Sequence, residues 1–496
     1  MHLYKIGMSV FTILLTVVSV SLDTNFSVAF RVSQVLAQTA NEQKAQADEL
    51  LNLGVQQLDT SQFQAALQSL QQALMIYRQI KDRQGEGAVL GNLGAAYLSL
   101  GDYAKVIDYQ QQSLAIARQI QDRQGEGSAL SSLGLAYYYL GEYAKAIDYQ
   151  QQSLAIARQI QDRQNEGVAL GNLGVTYQNL GDYAKAIDYE QQYLAIARQI
   201  KNRQSEGKAL GNLGLAYYYL GEYAKAIDYQ QQWLAIARQI QDPQSEGKAL
   251  GNLGLAYNSL GDYAKAIDYE QQHLTIARQI KDRQGEGKAL GNLGLAYYYL
   301  GEYAKAIDYE QQYLAIARQI KDRRSEGKAL GNLGLVYYSL GEYAKAIDYQ
   351  QQWLAIARQI QDRDSEGKAL GNLGNAYLYL GDYAKSIDYE QQLLAIARQI
   401  QDRDSEGAAL NNLGYALYKQ GNLADAEKTL FQGITVLESL RGKLEDRNKV
   451  LIFETQRSTY NSLQKVLIAE NKTDAGLEMP NTSTNEMNLV SAAMTG

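Results

Sequence analysis

The sequence predicts an all-α fold, a right-handed α-solenoid of about ten stacked antiparallel helix pairs. Three observations predict it. A Glu-Gly pair recurs every 40 residues, at Glu86, Glu126, Glu166, Glu206, Glu246, Glu286, Glu326, Glu366 and Glu406. Each interval holds two stretches whose apolar residues fall three and four apart, the spacing of one buried helix face. The 496 residues include two prolines, Pro243 and Pro480, so little interrupts long helices with short polar joints.

Taken from the N-terminus, Lys5 precedes an apolar run from Ile6 to Leu22, and Val35–Ala37 reads VLA. This pattern predicts a signal peptide over residues 1–37 and export to the periplasm or the exterior. The alternative is a retained anchor, since the run is close to bilayer-spanning length. No membrane span is expected after cleavage. Residues 41–80 predict a diverged first repeat, more polar at Gln56, Gln57, Gln64, Gln68 and Gln71, which reads as a cap.

Nine tandem repeats follow over residues 81–440. In the one starting at Ser205, the first helix is predicted over Glu206–Leu220, with Leu210, Leu213, Tyr217 and Leu220 on its buried stripe. Gly221 supplies the stop, and Glu222 opens the second helix with a carboxylate at its N-terminus. That helix runs to Ile240, and QDPQS makes the joint. Gly211 and Gly214 each cost about 1 kcal/mol relative to alanine inside a helix, so their recurrence predicts close backbone approach. Gly214 fits a helix–helix contact, whereas Gly211 is placed on the other side.

Composition narrows the function. The net charge is −7, and basic residues alternate with acidic ones within each repeat, so no basic stripe for nucleic acid forms. The chain has no cysteine and two histidines, His2 and His273. A cysteine nucleophile and disulfides are excluded, and a histidine metal cluster is not expected. No phosphate loop is present, because GNLG is too short and too helical. The reading is no cofactor and no enzyme.

Leu213-Gly214-x-x-Tyr217 followed by Leu220-Gly221-x-Tyr223-x-x-Ala226 resembles the tetratricopeptide repeat signature. The departures are Gln230 where an aromatic is usual, a missing closing proline, and a period of 40 rather than 34. GNLG, YAKAIDY and LAIARQI look like the repeats of the Pins/LGN scaffold family and, more distantly, of kinesin light chains. The resemblance spans roughly residues 41–440 and implies that the first helices line a concave face.

On that face fall Lys208, Asn212, Leu215 and Tyr219. Asparagine recurs at Asn92, Asn172, Asn212, Asn252, Asn292, Asn332, Asn372 and Asn412, with Ser132 as the break. An amide can pair with either group of an extended backbone. The resemblance implies that these asparagines grip a peptide main chain; the bland reading is that each satisfies a neighbouring carbonyl in the next repeat. Lysine precedes the asparagine by four at Lys208, Lys248, Lys288, Lys328 and Lys368, but not at Ala88, Ser128 or Val168. Such a groove would favour acidic extended segments, unless the lysines are solvated ion-pair members. Tyr219 and Tyr299 end YYY triplets and are candidate aromatic anchors, with packing between repeats as the alternative. One second-helix position varies in a constant setting: Ser113, Ser153, Tyr193, Trp233, His273, Tyr313, Trp353 and Leu393. It is placed away from the groove, with His273 exposed or half-buried.

Past Arg398 the text diverges. Asn411–Leu444 still reads as a helical pair, and Asn448–Glu478 as two further amphipathic helices. Residues 441–477 resemble the connector between a tetratricopeptide array and a CHAT protease domain in exported cyanobacterial proteins. That resemblance implies the recognition half of such an architecture without its catalytic half. Residues 478–496 carry no helical stripe and predict a disordered tail. The leading expectation is a protein- or peptide-binding scaffold; the rivals are a regulatory part of a CHAT-type system and a self-associating rod. The oligomeric state is left open.

Overall fold

The computed structural model describes residues 41–441 and 446–470. The export signal, the segment beyond residue 470 and its tail lie outside the described residues. Within them every regular element is a helix, and none is long and apolar enough to cross a membrane. Ten helix pairs, repeats 1 to 10, each comprise a first (A) and a second (B) helix, and a further helix, Asp446–Ala469, follows. They form two compact units, one ending at Ile240 and one starting at Gln241. Repeats 1–5 stack in the first unit, and repeats 6–10 with the final helix stack in the second.

Repeat 5 shows how the sequence builds a pair. Its A helix is Arg203–Tyr219 and its B helix Tyr223–Gln239. Asn202 caps the A helix by accepting a hydrogen bond from the Ser205 amide at 3.0 Å, satisfying an otherwise unpaired donor. Aspartates do the same in repeats 2–4 and 6–10. Gly221 turns the chain at φ 78°, a conformation glycine adopts without strain. The joint into repeat 6 is shorter than the polar text suggested. Gln241 takes φ 56° and Asp242 caps a helix that already begins at Pro243, whose fixed φ suits the first helical position.

The core is made of Leu210 and Leu213 with the small residues Ala209, Ala216 and Ala226, all at most 1% exposed. Tyr217 is only half-buried, stacked on Tyr229 with ring centres 5.4 Å apart. Leu220 departs from the predicted stripe: it lies past the last full turn and is 45% exposed.

Consecutive repeats are clipped together by a feature not anticipated. Glu206 is buried and accepts from Arg198 Nε at 2.9 Å and Arg203 Nη1 at 2.6 Å, tying the B helix of repeat 4 to the A helix of repeat 5. The same trio recurs around Glu126, Glu166, Glu286, Glu326, Glu366 and Glu406.

At the ends the pattern turns apolar. Repeat 1 packs Leu70 against Gly54, and repeat 10 packs Leu430 against Gly414, where the middle repeats use glutamine or glutamate. The last described segment is one helix, Asp446–Ala469, and the remainder of the stretch expected to form two helices lies outside the described residues. Leu463, Val466 and Leu467 of that helix pack on Ala426, Leu430 and Ile434, covering the B helix of repeat 10.

Candidate functional site

The A helices bring the predicted lysines and asparagines of successive repeats together. In the second unit Lys248, Lys288 and Lys328 converge with Asn252, Asn292 and Asn332 on a cavity of about 550 Å³. A neighbouring cavity of about 720 Å³ takes Lys328 and Lys368 with Asn332, Asn372 and Asn412. Both lie in the range of ligand-sized clefts. In the first unit a cavity of about 340 Å³ is lined by Asn92, Ser128 and Ser132 and has no lysine. Asn172, Asn212 and Lys208 hold the equivalent register and are not among the residues lining these three cavities.

The asparagines divide into two kinds. Asn212 donates to Glu190 at 2.9 Å, Asn292 to Glu270 at 2.7 Å, Asn332 to Glu310 at 2.9 Å and Asn412 to Glu390 at 3.2 Å. Each bond joins an A helix to the B helix of the preceding repeat. Where that B helix carries glutamine the bond is absent. Gln150 and Gln350 turn their amides to the carbonyls of Ser131 and Gly331, both at 3.0 Å, and the structure gives Asn172 and Asn372 no side-chain hydrogen bond. Asn92 reaches back to its own Ala88 carbonyl at 2.9 Å. Four of the eight asparagines thus bridge repeats, though to a buried carboxyl of the preceding repeat and not to a carbonyl of the next.

These glutamates are nearly solvent-free, at most 1% exposed. Burial pushes Glu310 and Glu390 up to about 8, against the pull of Asn332 and Asn412. Burial likewise raises Glu190 well above the carboxylate range, and raises Glu270 with His273 opposing it. The residues beside them are the glycines equivalent to Gly214: a Cβ on Gly294 would stand 2.7 Å from Glu310 Oε1, and one on Gly214 2.4 Å from Gln230 Nε2. Gln230, noted as a departure from the family signature, is this same close-packed polar residue.

Four of the five lysines stand outside any ion pair. Among the described residues Lys208, Lys248, Lys288 and Lys328 are exposed with no ion pair, while Lys368 pairs with Asp364 at 2.7 Å.

The variable B-helix position is not turned away from this face. His273 and Tyr313 line the 550 Å³ cavity, Trp353 and Leu393 the 720 Å³ one, and Ser113 the 340 Å³ one. His273 is 8% exposed and its Nδ1 lies 3.0 Å from Glu270 Oε2, so it is buried rather than half-exposed. Gly211 also faces its own B helix: a Cβ there would stand 2.7 Å from Trp233 Cε3. Three- and four-residue spacing placed Gly211 and Gly214 on different sides because it sees one helix. The B helix lies across both.

Tyr219 and Tyr299 are 56% and 53% exposed but sit at the C-terminal ends of their A helices. They stack on Tyr183 and Tyr263, with ring centres 5.4 and 5.3 Å apart, and line none of the three cavities. Their aromatic faces link repeats at the edge of the stack.

Tetratricopeptide repeat models match residues 45–119, 126–199, 205–279 and 325–399, with further matches at 288–320 and 372–436. The chain belongs to the tetratricopeptide repeat family. No curated protein matches it. Among solved structures it is similar to apo RapI, at 16% identity and TM-score 0.55 over 72% of this chain and 98% of that one. It is also similar to a signal transduction ATPase with a tetratricopeptide repeat sensor from Pyrococcus horikoshii, at 17% identity and TM-score 0.51. That match covers 70% of this chain and 55% of the ATPase, so this chain spans little more than half of that protein's length. At these identities the likeness is one of fold.

Proposed function

We propose that the chain is a non-catalytic scaffold that binds extended peptide segments of partner proteins along the A-helix face. The observation that carries this reading is the convergence of three unpaired lysines and three asparagines, from three successive repeats, on one 550 Å³ cavity. Lysines outside any close ion pair favour acidic segments, and side-chain amides supply donors and acceptors for an extended backbone. The asparagines without internal partners, Asn172 and Asn372, are the freest to do so, while Tyr219 and Tyr299 would act as edge anchors. Full-length protein titrated with fluorescein-labelled extended peptides, acidic, neutral and basic, tests it. Acidic peptides should bind best, more weakly as salt rises, and a Lys248→Ala/Lys288→Ala/Lys328→Ala variant should lose the preference. Equal binding of acidic and basic peptides would refute the reading.

A rival reading, a regulatory part of a CHAT-type system, is supported by the text of residues 411–478. Two finer assignments belong to the main proposal. The chain carries 40-residue repeats of the Pins/LGN type, supported by GNLG, YAKAIDY and LAIARQI. It acts outside the cytoplasm, supported by Lys5, the apolar run Ile6–Leu22 and VLA at Val35–Ala37. Mass spectrometry of the protein's N-terminus from fractionated cells checks the export: a chain starting near residue 38 supports it, and an intact Met1 in the cytoplasmic fraction contradicts it.

A further inference from the structure

In seven of the repeats, 2 and 4–9, the A helix carries a glycine facing the variable B-helix residue, and the exceptions compensate in volume. Where Ser153 stands, the A helix has Ser131; where Gly433 stands, it has Asn411; and in repeat 1 Ala73 faces the register of Leu51. Large partners fill the glycine notch. A Cβ on Gly331 would stand 2.7 Å from Trp353 Cε3, and one on Gly291 2.9 Å from Tyr313 Cε1, whereas one on Gly91 would clear Ser113 Oγ by 3.7 Å. The glycine carbonyl side of the notch is held by the neighbouring buried residue, as in the Gln350 to Gly331 bond. In repeats 2 and 4–9 the notch is therefore one frame around a changing side chain, which reaches the cavities at Ser113, His273, Tyr313, Trp353 and Leu393.

We infer that this B-helix residue decides which peptide side chain each station of the groove admits, an assignment that rests on the peptide-binding reading above. At the first station of the second unit the floor is His273 and Tyr313, both polar-tipped, under the rim of Lys248, Lys288 and Lys328. It takes a carboxylate side chain. At the next station the floor is Trp353 and Leu393 with Leu335 on the wall. It takes an apolar side chain, excluding water from the indole and leucine surfaces. The two cavities centre on A helices two repeats apart. With neighbouring helices packed about 10 Å apart and an extended chain rising about 3.3 Å per residue, the separation is about six residues. The ligand is an extended segment with an acidic and an apolar side chain at about that spacing.

The test uses the full chain and a synthetic library of fluorescein-labelled dodecapeptides in which each position is scanned through all residue types. Wild type should select an acidic residue at one position and an apolar one about six residues away. Trp353→Ser should lower the apolar selection by about tenfold, as loss of a hydrophobic pocket does, and leave the acidic selection in place. Trp353→Phe should largely retain it. Serine already stands at this register at Ser113 and Ser153, and Leu393→Ser provides a second removal should Trp353→Ser fold poorly by circular dichroism. An unchanged selection profile in the folded serine variants overturns this inference alone. Failure of wild type to bind any library peptide overturns it together with the peptide-binding reading.

Discussion

Asn212 donates a hydrogen bond to Glu190 across the boundary between two repeats, at 2.9 Å, while Asn172, the same letter one repeat earlier, faces Gln150 and makes no such bond. The two asparagines therefore differ in what they hold. Asn212→Ala should cost about 1–2 kcal/mol, because the solvent-free Glu190 loses a partner. Asn172→Ala should stay within about 0.5 kcal/mol of wild type. In a stack of nearest-neighbour contacts the loss is local, so amide hydrogen exchange over residues 183–219 reads it. Equal protection in the two variants would contradict the distinction.

The buried glutamates set a pH dependence in the neutral range. Burial raises Glu310 and Glu390 to about 8, well above the unfolded-state value. Between the unfolded value of about 4.3 and about 8 the folded form binds more protons than the unfolded one, so stability falls as pH rises through that window. The groups facing Glu310 are the Asn332 amide and the more distant Lys328. Glu310→Gln, the choice already made at Gln350, should flatten the fall in repeats 7 and 8. Urea unfolding or local exchange at pH 6 and pH 8.5 checks it; an unaltered slope would count against the assignment.

The arginine-clipped Glu206 behaves in the opposite sense. Burial pushes Glu206 up, but hydrogen bonds from Arg198 and Arg203 outweigh it and hold the carboxyl below its ordinary value. Such a group stabilises the fold above the unfolded value and loses that contribution as pH falls through the folded one. Glu206→Gln should cost about 1–2 kcal/mol near neutrality, discounted because the arginines are half-exposed. Its penalty should shrink toward pH 3. A penalty independent of pH would show that the carboxylate charge is not what matters.

The notch glycines predict a change of sign between repeats. Gly211→Ala drives a methyl into Trp233 and should destabilise by about 1–3 kcal/mol. Gly91→Ala meets only Ser113 Oγ at 3.7 Å and should gain up to about 1 kcal/mol from helix propensity. Gly211→Ala with Trp233→Ser should recover much of the loss. Limited proteolysis across the three variants ranks them, and a Gly91→Ala chain cut faster than wild type would refute the account.

Much of the fold was legible because helix formation and stacking are local and repeated. The period, the glycine stops and the stripe through Leu210 and Leu213 need only neighbours within one repeat. Leu220 was misassigned by the same logic, since the three-and-four spacing continues past the point where the helix ends. The final helix, Asp446–Ala469, runs unbroken, and no glycine or proline stands between its ends.

The chain by itself determined that these residues form helix pairs, that the pairs stack, and that lysines and asparagines share one face at a fixed register. Only the tertiary structure decided what that face contains. Whether an asparagine is tied or free depends on a residue 22 positions earlier, Glu190 for Asn212 and Gln150 for Asn172, brought beside it by packing across a repeat boundary. The glycine beside Trp233 and the cavity floors beneath Lys288 and Lys328 likewise arise where two helices meet. Periodicity describes one helix at a time, whereas exposure, pairing and the shape of the groove belong to the space between helices.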